Sequence, residues 1–295
     1  MNRSPLNDFM ETLANLDWWK VLIIVAVLLV IRFVFIKRQG QAAKTVAETA
    51  ESLAVAMALV FFVIRPFIVQ AFFIPSASMH PTLLENDHIL VNKFLYRFRE
   101  PRLGDVVVFK SPPEAKNDEK DFIKRVIGVP GDTVRITPGY VLVGDQPYNH
   151  SDLRDLLGVV GLENRVRLDD GKVFVNGKEV TKAEVAAAAG HTGAKVTVVC
   201  GEVYINDKAL NEPYIAEDPD LPYPLPSTSP EWIVTKKIGK EKVHLVKIPK
   251  GRLLVMGDNR NDSNDARFWG LLGRDRMLGK SMFIFWPLNR IRIVR

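Results

Sequence analysis

The sequence predicts a mostly β domain carried on two amino-terminal transmembrane helices, with a β-rich repeat region inserted into the domain. Three observations predict it: two long apolar runs before residue 68, short apolar runs punctuated by Gly and Pro after residue 80, and a β pattern that recurs three times between residues 134 and 210. The 295-residue chain is 47% apolar, which fits one or two folded domains plus membrane-embedded length. Its net charge of +6 comes from 40 basic and 34 acidic residues scattered along the chain. With no basic block or finger pattern, solvated surface and anionic headgroups explain that charge, and no nucleic acid is expected. Cys200 is the single cysteine, which excludes an intramolecular disulfide and a cysteine-based metal site.

The first span is expected over 18–36. Val21 to Ile31 is uninterrupted apolar sequence, flanked by Trp18, Trp19 and Lys20 on one side and Lys37-Arg38 on the other, with Arg32 close enough to an end to snorkel. A cleaved secretory signal would need a positive leading region, whereas residues 1–17 hold Arg3 against Asp8, Glu11 and Asp17. The second span, expected over 49–67, is weaker. Its uncharged part, Ser52 to Ile64, reaches only about 20 Å of the roughly 30 Å hydrocarbon core, so Thr49 and Arg65-Pro66-Phe67 must be included. A buried or interfacial helix is the alternative. The connecting loop, 37–48, carries Lys37, Arg38 and Lys44, which places it in the cytoplasm and both termini outside, with 1–17 an extracytoplasmic tail.

Beyond Pro66, the apolar run Phe67–Ile74 leads to Ile74-Pro75-Ser76-Ala77-Ser78-Met79-His80-Pro81, where two serines lie beside the expected outer leaflet. The β domain is expected from 68–133 and 243–295, with runs such as Asp105–Lys110 and Ser281–Trp286 as strands. Between them, 134–242 reads as the insertion. Val134–Asp145 recurs as Val166–Gly177 and again as Val196–Asp207, with Gly139, Gly171 and Gly201 in register. Each copy is expected to run strand, turn, strand, turn, with Asn-Gly or a similar pair supplying positive φ. Helical stretches are expected at 151–157 and 181–189. The modules serve either as a platform for a partner or as a structural cap, and proline-rich Glu217–Pro230 reads as a surface connection without a core of its own.

A serine hydroxyl needs a base, and a neutral lysine can serve. Bringing lysine from a pKa near 10.4 to roughly 7–8 costs about 4 kcal/mol, which desolvation supplies. Lys124 has the right surroundings, between Phe122-Ile123 and Val126-Ile127. Arg125 cannot act as a base and, in a strand, points to the opposite face. A third polar segment, Met256-Gly257-Asp258-Asn259-Arg260-Asn261-Asp262-Ser263-Asn264-Asp265-Ala266-Arg267-Phe268-Trp269-Gly270, could be a calcium loop by its carboxylates. It lacks the EF-hand spacing, so no metal and no other cofactor is expected.

These segments, in this order and spacing, resemble the bacterial type I signal peptidases, membrane-bound Ser/Lys endopeptidases that release exported proteins from their signal peptides. The resemblance covers the paired spans and four segments between 74 and 270. It implies a signal-peptidase-like β catalytic core, Ser78 as nucleophile, Lys124 as general base, and Ser76 with the Ser78 N–H as oxyanion donors. It further implies that the Ser263 hydroxyl orients the lysine, with Asp265 and Arg267 as a supporting ion pair. Cleavage after small residues is implied, the first pocket bordered by Ile74, Pro75, Met79, Leu83, Phe122 and Ile123 and the third by Phe72, Ile89 and Val108. The implied partners are the signal peptides of preproteins, membrane lipids and the export machinery, and the implied location is the bacterial inner membrane with the catalytic domain outside. Two readings compete with it: a Ser/Lys maturation or self-cleaving peptidase of narrow range, and a non-catalytic membrane-anchored β-repeat scaffold.

Overall fold

In the computed structural model, residues 17–64, 68–116, 121–161 and 165–295 are described. The expected tail before Asp17 and residues 65–67 of the expected second span lie outside them. Helix α1 is Trp18–Ile36, and α2, Gln41–Leu59, continues through a π-helical turn, Val60–Ile64. Both helices are long and apolar enough to cross a membrane. The expected loop at 37–48 shrinks to 37–40, because Gly40, at φ +124, caps a helix that Gln41, Ala42, Ala43 and Lys44 already favour. The two helices meet along Ala47, Ala50 and Ala54, small residues that let backbones approach closely. Arg32 lies 2.8 Å from Glu51 of α2, a charged partner on the neighbouring helix.

The main sheet is antiparallel, in the order β1 (Val69–Phe73), β2 (His88–Asn92), β18 (Met277–Trp286), β3 (Val106–Lys110), β4 (Asp121–Gly128), β16 (Arg252–Met256) and β17 (Leu272–Gly273), with β19 (Arg292–Ile293) paired to β18. Strand β3 is apolar from Val106 to Phe109 because it has a core on each side. Val107 and Phe109 join Phe122, Val126, Leu254 and Trp269, while Val106 and Val108 join Ile74, Met79, Leu83 and Ile89. Period-two alternation thus sends neighbours in β3 and β4 into different environments, which is what later separates Lys124 from Arg125.

A second sheet runs β13 (Lys208–Ala209), β12 (Glu202–Ile205), β5 (Thr133–Thr137), β15 (Glu241–Lys247) and β14 (Ile233–Ile238). It therefore draws in strands from both ends of the inserted region. Two small sheets complete the region: β11 (Val196–Val199), β6 (Tyr140–Val143) and β7 (Gln146–Tyr148), and β10 (Lys178–Val180), β9 (Lys172–Val175) and β8 (Val166–Asp169). Helices α3 (His150–Leu156) and α4 (Lys182–Ala188) begin at capping boxes, Asn149 with Asp152 and Thr181 with Glu184. Both pack on the core of the two small sheets through Leu153, Val185 and Ala186.

The three repeat copies do not fold alike. In the second, β8 and β9 pair as a hairpin across Asp170-Gly171, both at positive φ. The hairpins expected at the same place in the first and third copies do not form. Instead β5 pairs with β12 and β6 with β11, so the two copies exchange partners. Gly139 and Gly201 mark the crossing. A Cβ at Gly139 would fall 2.8 Å from the Gly201 nitrogen, and one at Gly201 would fall 2.7 Å from the Gly139 nitrogen. Asp218 ties the copies together, accepting from Gly201 N at 2.7 Å, Leu168 N at 2.9 Å and His150 Nε2 at 2.9 Å. The expectation of a coreless connection at Glu217–Pro230 is corrected too: Glu217 and Asp218 are buried, and Tyr223 sits in the main core, exchanging backbone hydrogen bonds with Ile136.

Candidate active site

Ser78 lies in a 3-10 turn, Ala77–Met79, that follows β1 and the buried anchor Ile74. Lys124 reaches it from β4. Its Nζ lies 2.7 Å from Ser78 Oγ, and the lysine is only 4% exposed. The Phe122 ring centroid is 5.3 Å from Nζ. Burial penalises an ammonium there, while the ring contact favours it.

One residue on, Arg125 turns to the opposite side of β4, as strand alternation requires, but it is not at the surface. Its Nε donates to Asp258 Oδ1 at 2.7 Å and its Nη2 to Asp258 Oδ2 at 2.6 Å, with both side chains buried. The guanidinium also donates to the Gly104 carbonyl and stacks 3.9 Å from the Tyr214 ring centroid. Thr82, four residues beyond Ser78, donates to Asp258 Oδ2 at 2.5 Å. Neighbouring residues of β4 thus grip the Ser78–Thr82 segment twice, Lys124 at Ser78 and Arg125 through Asp258 at Thr82. Sequence reasoning missed the second grip, although an Arg next to the candidate base and an Asp beginning the polar loop were both visible.

The polar loop after β16 is packed against the same turn. Asn259 N donates to the Ser78 carbonyl at 3.2 Å, and Asn259 Nδ2 to the Ala77 carbonyl at 3.0 Å. Asp265 and Arg267, both buried, form a two-pronged pair at 2.8 and 2.9 Å, and Asp265 Oδ2 also accepts Gly257 N at 3.1 Å. Burial alone would raise the Asp265 pKa, but the Arg267 charge and these hydrogen bonds hold it below the usual carboxylate range. Ser263 is buried, and its hydroxyl has no hydrogen-bond partner among the described residues, so the bond to Lys124 expected of it is not formed in this structure. It sits instead against Gly257, where an added Cβ would lie 2.3 Å from Ser263 Oγ and 2.4 Å from the Ser78 carbonyl oxygen.

A groove opens beside the pair. It is lined by Phe72, Ile74, Pro75 and Ser76 from one side, Ile89 and Val108 from below, and Phe122, Ile123 and Lys124 from the other. Phe73 and Asp121, absent from the sequence expectation, also line it. Met79 and Leu83 do not: both are fully buried in the core beneath. Ser76, half-buried at the start of the 3-10 turn, shares the groove with Ser78. His80 is not in it, and its Nε2 pairs with Glu85 at 2.6 Å. Among the described residues, no group of His, Cys, Asp or Glu side chains could hold a metal ion.

A serine in hydrogen-bond contact with a buried lysine, on a β scaffold behind two helices of membrane-crossing length, defines a serine hydrolase of the Ser/Lys class. The chain belongs to the signal peptidase family, peptidase S26, whose family model matches residues 45–158 and 187–286. It is similar to Signal peptidase I of Aquifex aeolicus (strain VF5), with 36% identity over 81% of this chain and 83% of that protein. Signal peptidase I of Leptolyngbya laminosa is 32% identical over 77% of this chain and 74% of its own. The Probable signal peptidase I-2 of Synechocystis sp. is 29% identical over 88% and 81%. A crystal structure of a signal peptidase I from Enterococcus faecalis V583 covers 62% of this chain and 97% of its own at 17% identity, but its TM-score of 0.22 is too low to bear on the architecture. The protein is accordingly a serine endopeptidase of a membrane-anchored family.

Proposed function

We propose that this enzyme removes N-terminal signal peptides from exported preproteins, cutting after small-x-small sites, with Ser78 as nucleophile and Lys124 as base. The observation that carries the reading is the 2.7 Å contact between Lys124 Nζ and Ser78 Oγ at a buried lysine. The neutral amine takes the hydroxyl proton as Oγ bonds to the scissile carbonyl carbon. The resulting ammonium then protonates the departing amine as the C–N bond breaks, and water releases the acyl group by the same route. Ser76 Oγ and the Ser78 N–H are assigned to the developing oxyanion. Ser263, with its uncommitted hydroxyl beside the Ser78 backbone, is assigned to the amine once substrate is bound, and Asp265 with Arg267 to the shape of the loop.

Substrate selection follows from the groove. Phe72, Ile89 and Val108, with Ile74, Pro75, Phe122 and Ile123, wall it with branched and aromatic side chains that leave room only for small residues, and Met79 and Leu83 stiffen its floor. β1 is an edge strand of the main sheet, which supports entry of the substrate as an added strand. The anchor is read as two-pass in the bacterial inner membrane, in contact with lipid and the export machinery, with 37–40 cytoplasmic and the β domain outside. Residues 68–133 and 243–295 act as the catalytic unit and 134–242 as its cap.

The test is cleavage of a purified preprotein by the full-length enzyme in phospholipid vesicles. Wild type trims it, while Ser78→Ala and Lys124→Ala each abolish trimming yet melt at the wild-type temperature. Undiminished processing by both alanine variants would remove the reading and favour a scaffold. Tags at Met1 and Arg295 accessible to protease from outside support the two-pass arrangement, and protection of either overturns it.

A further inference from the structure

The family model leaves out residues 159–186, which hold the whole second repeat copy, with β8 and β9, and also β10. That segment nevertheless reaches the catalytic loop. We propose that Arg165, which it contributes, is a positioning residue for the backbone N–H of Ser78; the proposal deepens the reading of Ser78 as nucleophile and rests on it.

Arg165 is presented rigidly. Its N–H donates to Asn176 Oδ1 at 2.9 Å, and its carbonyl accepts Asn176 N at 3.0 Å. Asn176 is itself fixed at φ +52 in the Asn-Gly turn between β9 and β10. From there the guanidinium donates to Glu217 Oε1 at 2.9 Å, to Asp262 Oδ2 at 3.2 Å and, through a short hydrogen bond, to Asn259 Oδ1. Glu217 lies on the segment that ties the copies together, so this side chain joins the repeat region to the polar loop.

The consequence lies in the amide of Asn259. An asparagine side chain carries an acceptor at one end and donors at the other, and a guanidinium offers donors only. With Arg165 on the Oδ1 side, the Nδ2 side must face the nucleophile turn, where it donates to the Ala77 carbonyl at 3.0 Å. That carbonyl and the N–H of Ser78 are the two ends of one planar peptide group. Holding the oxygen against Asn259, with the His80 N–H as its second donor at 2.9 Å, aims the Ser78 N–H the other way. The peptide orientation that an oxyanion donor needs is therefore set partly from outside the segments the family model matches.

An oxyanion donor acts on the transition state and little on the bound substrate, so its misalignment lowers kcat rather than raising KM. The experiment uses the full-length enzyme in detergent micelles with a preprotein substrate. Arg165→Ala is expected to lower kcat by about tenfold or more while KM moves by less than about twofold. The guanidinium lines a solvent-open cavity with His150, Ser151, Arg154 and Asp220, so millimolar guanidinium ion is expected to restore part of kcat. Arg165→Ala combined with Asn259→Ala is expected to be no slower than Asn259→Ala alone, because the two act in series. Arg167→Ala, which removes a surface pair with Asp169, serves as the unaffected control. A kcat for Arg165→Ala within about twofold of wild type, a rise in KM alone, or losses that multiply in the double variant overturn the proposal. If Arg165→Ala fails to fold, Arg165→Met, which keeps an apolar stem and removes every donor, is read instead: lowered kcat at unchanged KM supports the proposal and wild-type kcat overturns it. Absence of cleavage by the wild-type enzyme would strike the parent reading of Ser78 instead.

Discussion

Arg125 holds Asp258 through two parallel hydrogen bonds, at 2.7 and 2.6 Å, with both side chains buried beside the Ser78–Thr82 segment. Fork-to-carboxylate geometry is something only arginine supplies. Arg125→Lys keeps the charge but loses the second bond and the stacking on Tyr214, and leaves part of a buried carboxylate unsatisfied. The expected cost is about 1–3 kcal/mol of stability, with a fall in kcat as Thr82 loosens. Chemical denaturation and steady-state cleavage check it, and a variant with wild-type stability would contradict the assignment.

Gly257 has no room for a side chain, since a Cβ there would meet Ser263 Oγ at 2.3 Å and the Ser78 carbonyl oxygen at 2.4 Å. Gly257→Ala must push the Ala77–Met79 turn and the polar loop apart. We expect a loss of about 1–3 kcal/mol and a large drop in kcat. Adding Ser263→Gly, which removes both the Oγ and the Cβ that an added methyl would meet at 2.3 and 2.5 Å, should recover part of the stability but not full activity. Full activity in the single variant would show that the loop and turn yield freely.

With Lys124 proposed as the base, and a base having to be neutral to accept a proton, kcat/KM is expected to rise toward the alkaline side as the amine deprotonates. A profile measured over about pH 6 to 10 tests this, and a flat rate across that range excludes lysine as the base.

His150, buried against Asp218, titrates above its ordinary value of 6.5: burial alone would lower it, but the hydrogen bond and charge of Asp218, with Asp220 and Glu217 nearby, override that. Burial raises Glu217 and Asp220 as well. A raised folded-state pKa stabilises fully below the unfolded value and loses that contribution as pH rises through the folded one. For His150 the window therefore opens near 6.5 and extends upward. Protection of the Leu168 and Gly201 amides from hydrogen exchange, both bonded to Asp218, is expected to weaken across it after correction for intrinsic exchange. His150→Gln should flatten that upper part, and an unchanged profile in the variant would remove the histidine from the account.

The sequence by itself determined what depends on near neighbours: the serine pair after an apolar run, a lysine among apolar strand residues, the turns at Asn176-Gly177 and Asn206-Asp207, and the Thr181-x-x-Glu184 helix start. Period and turn chemistry report on a few residues at a time, and these features need no more. Only the tertiary structure decided which strands pair, since β5 and β12 choose each other over closer hairpin partners. It also decided where Arg125, Arg165 and Tyr223 are held, because they find their places through partners distant in the chain, such as Asp258, Asn259 and Ile136. Local alternation tells which side of a strand a residue leaves from. What waits there depends on chain that arrives from elsewhere, and that arrival is governed by the summed packing of the whole domain.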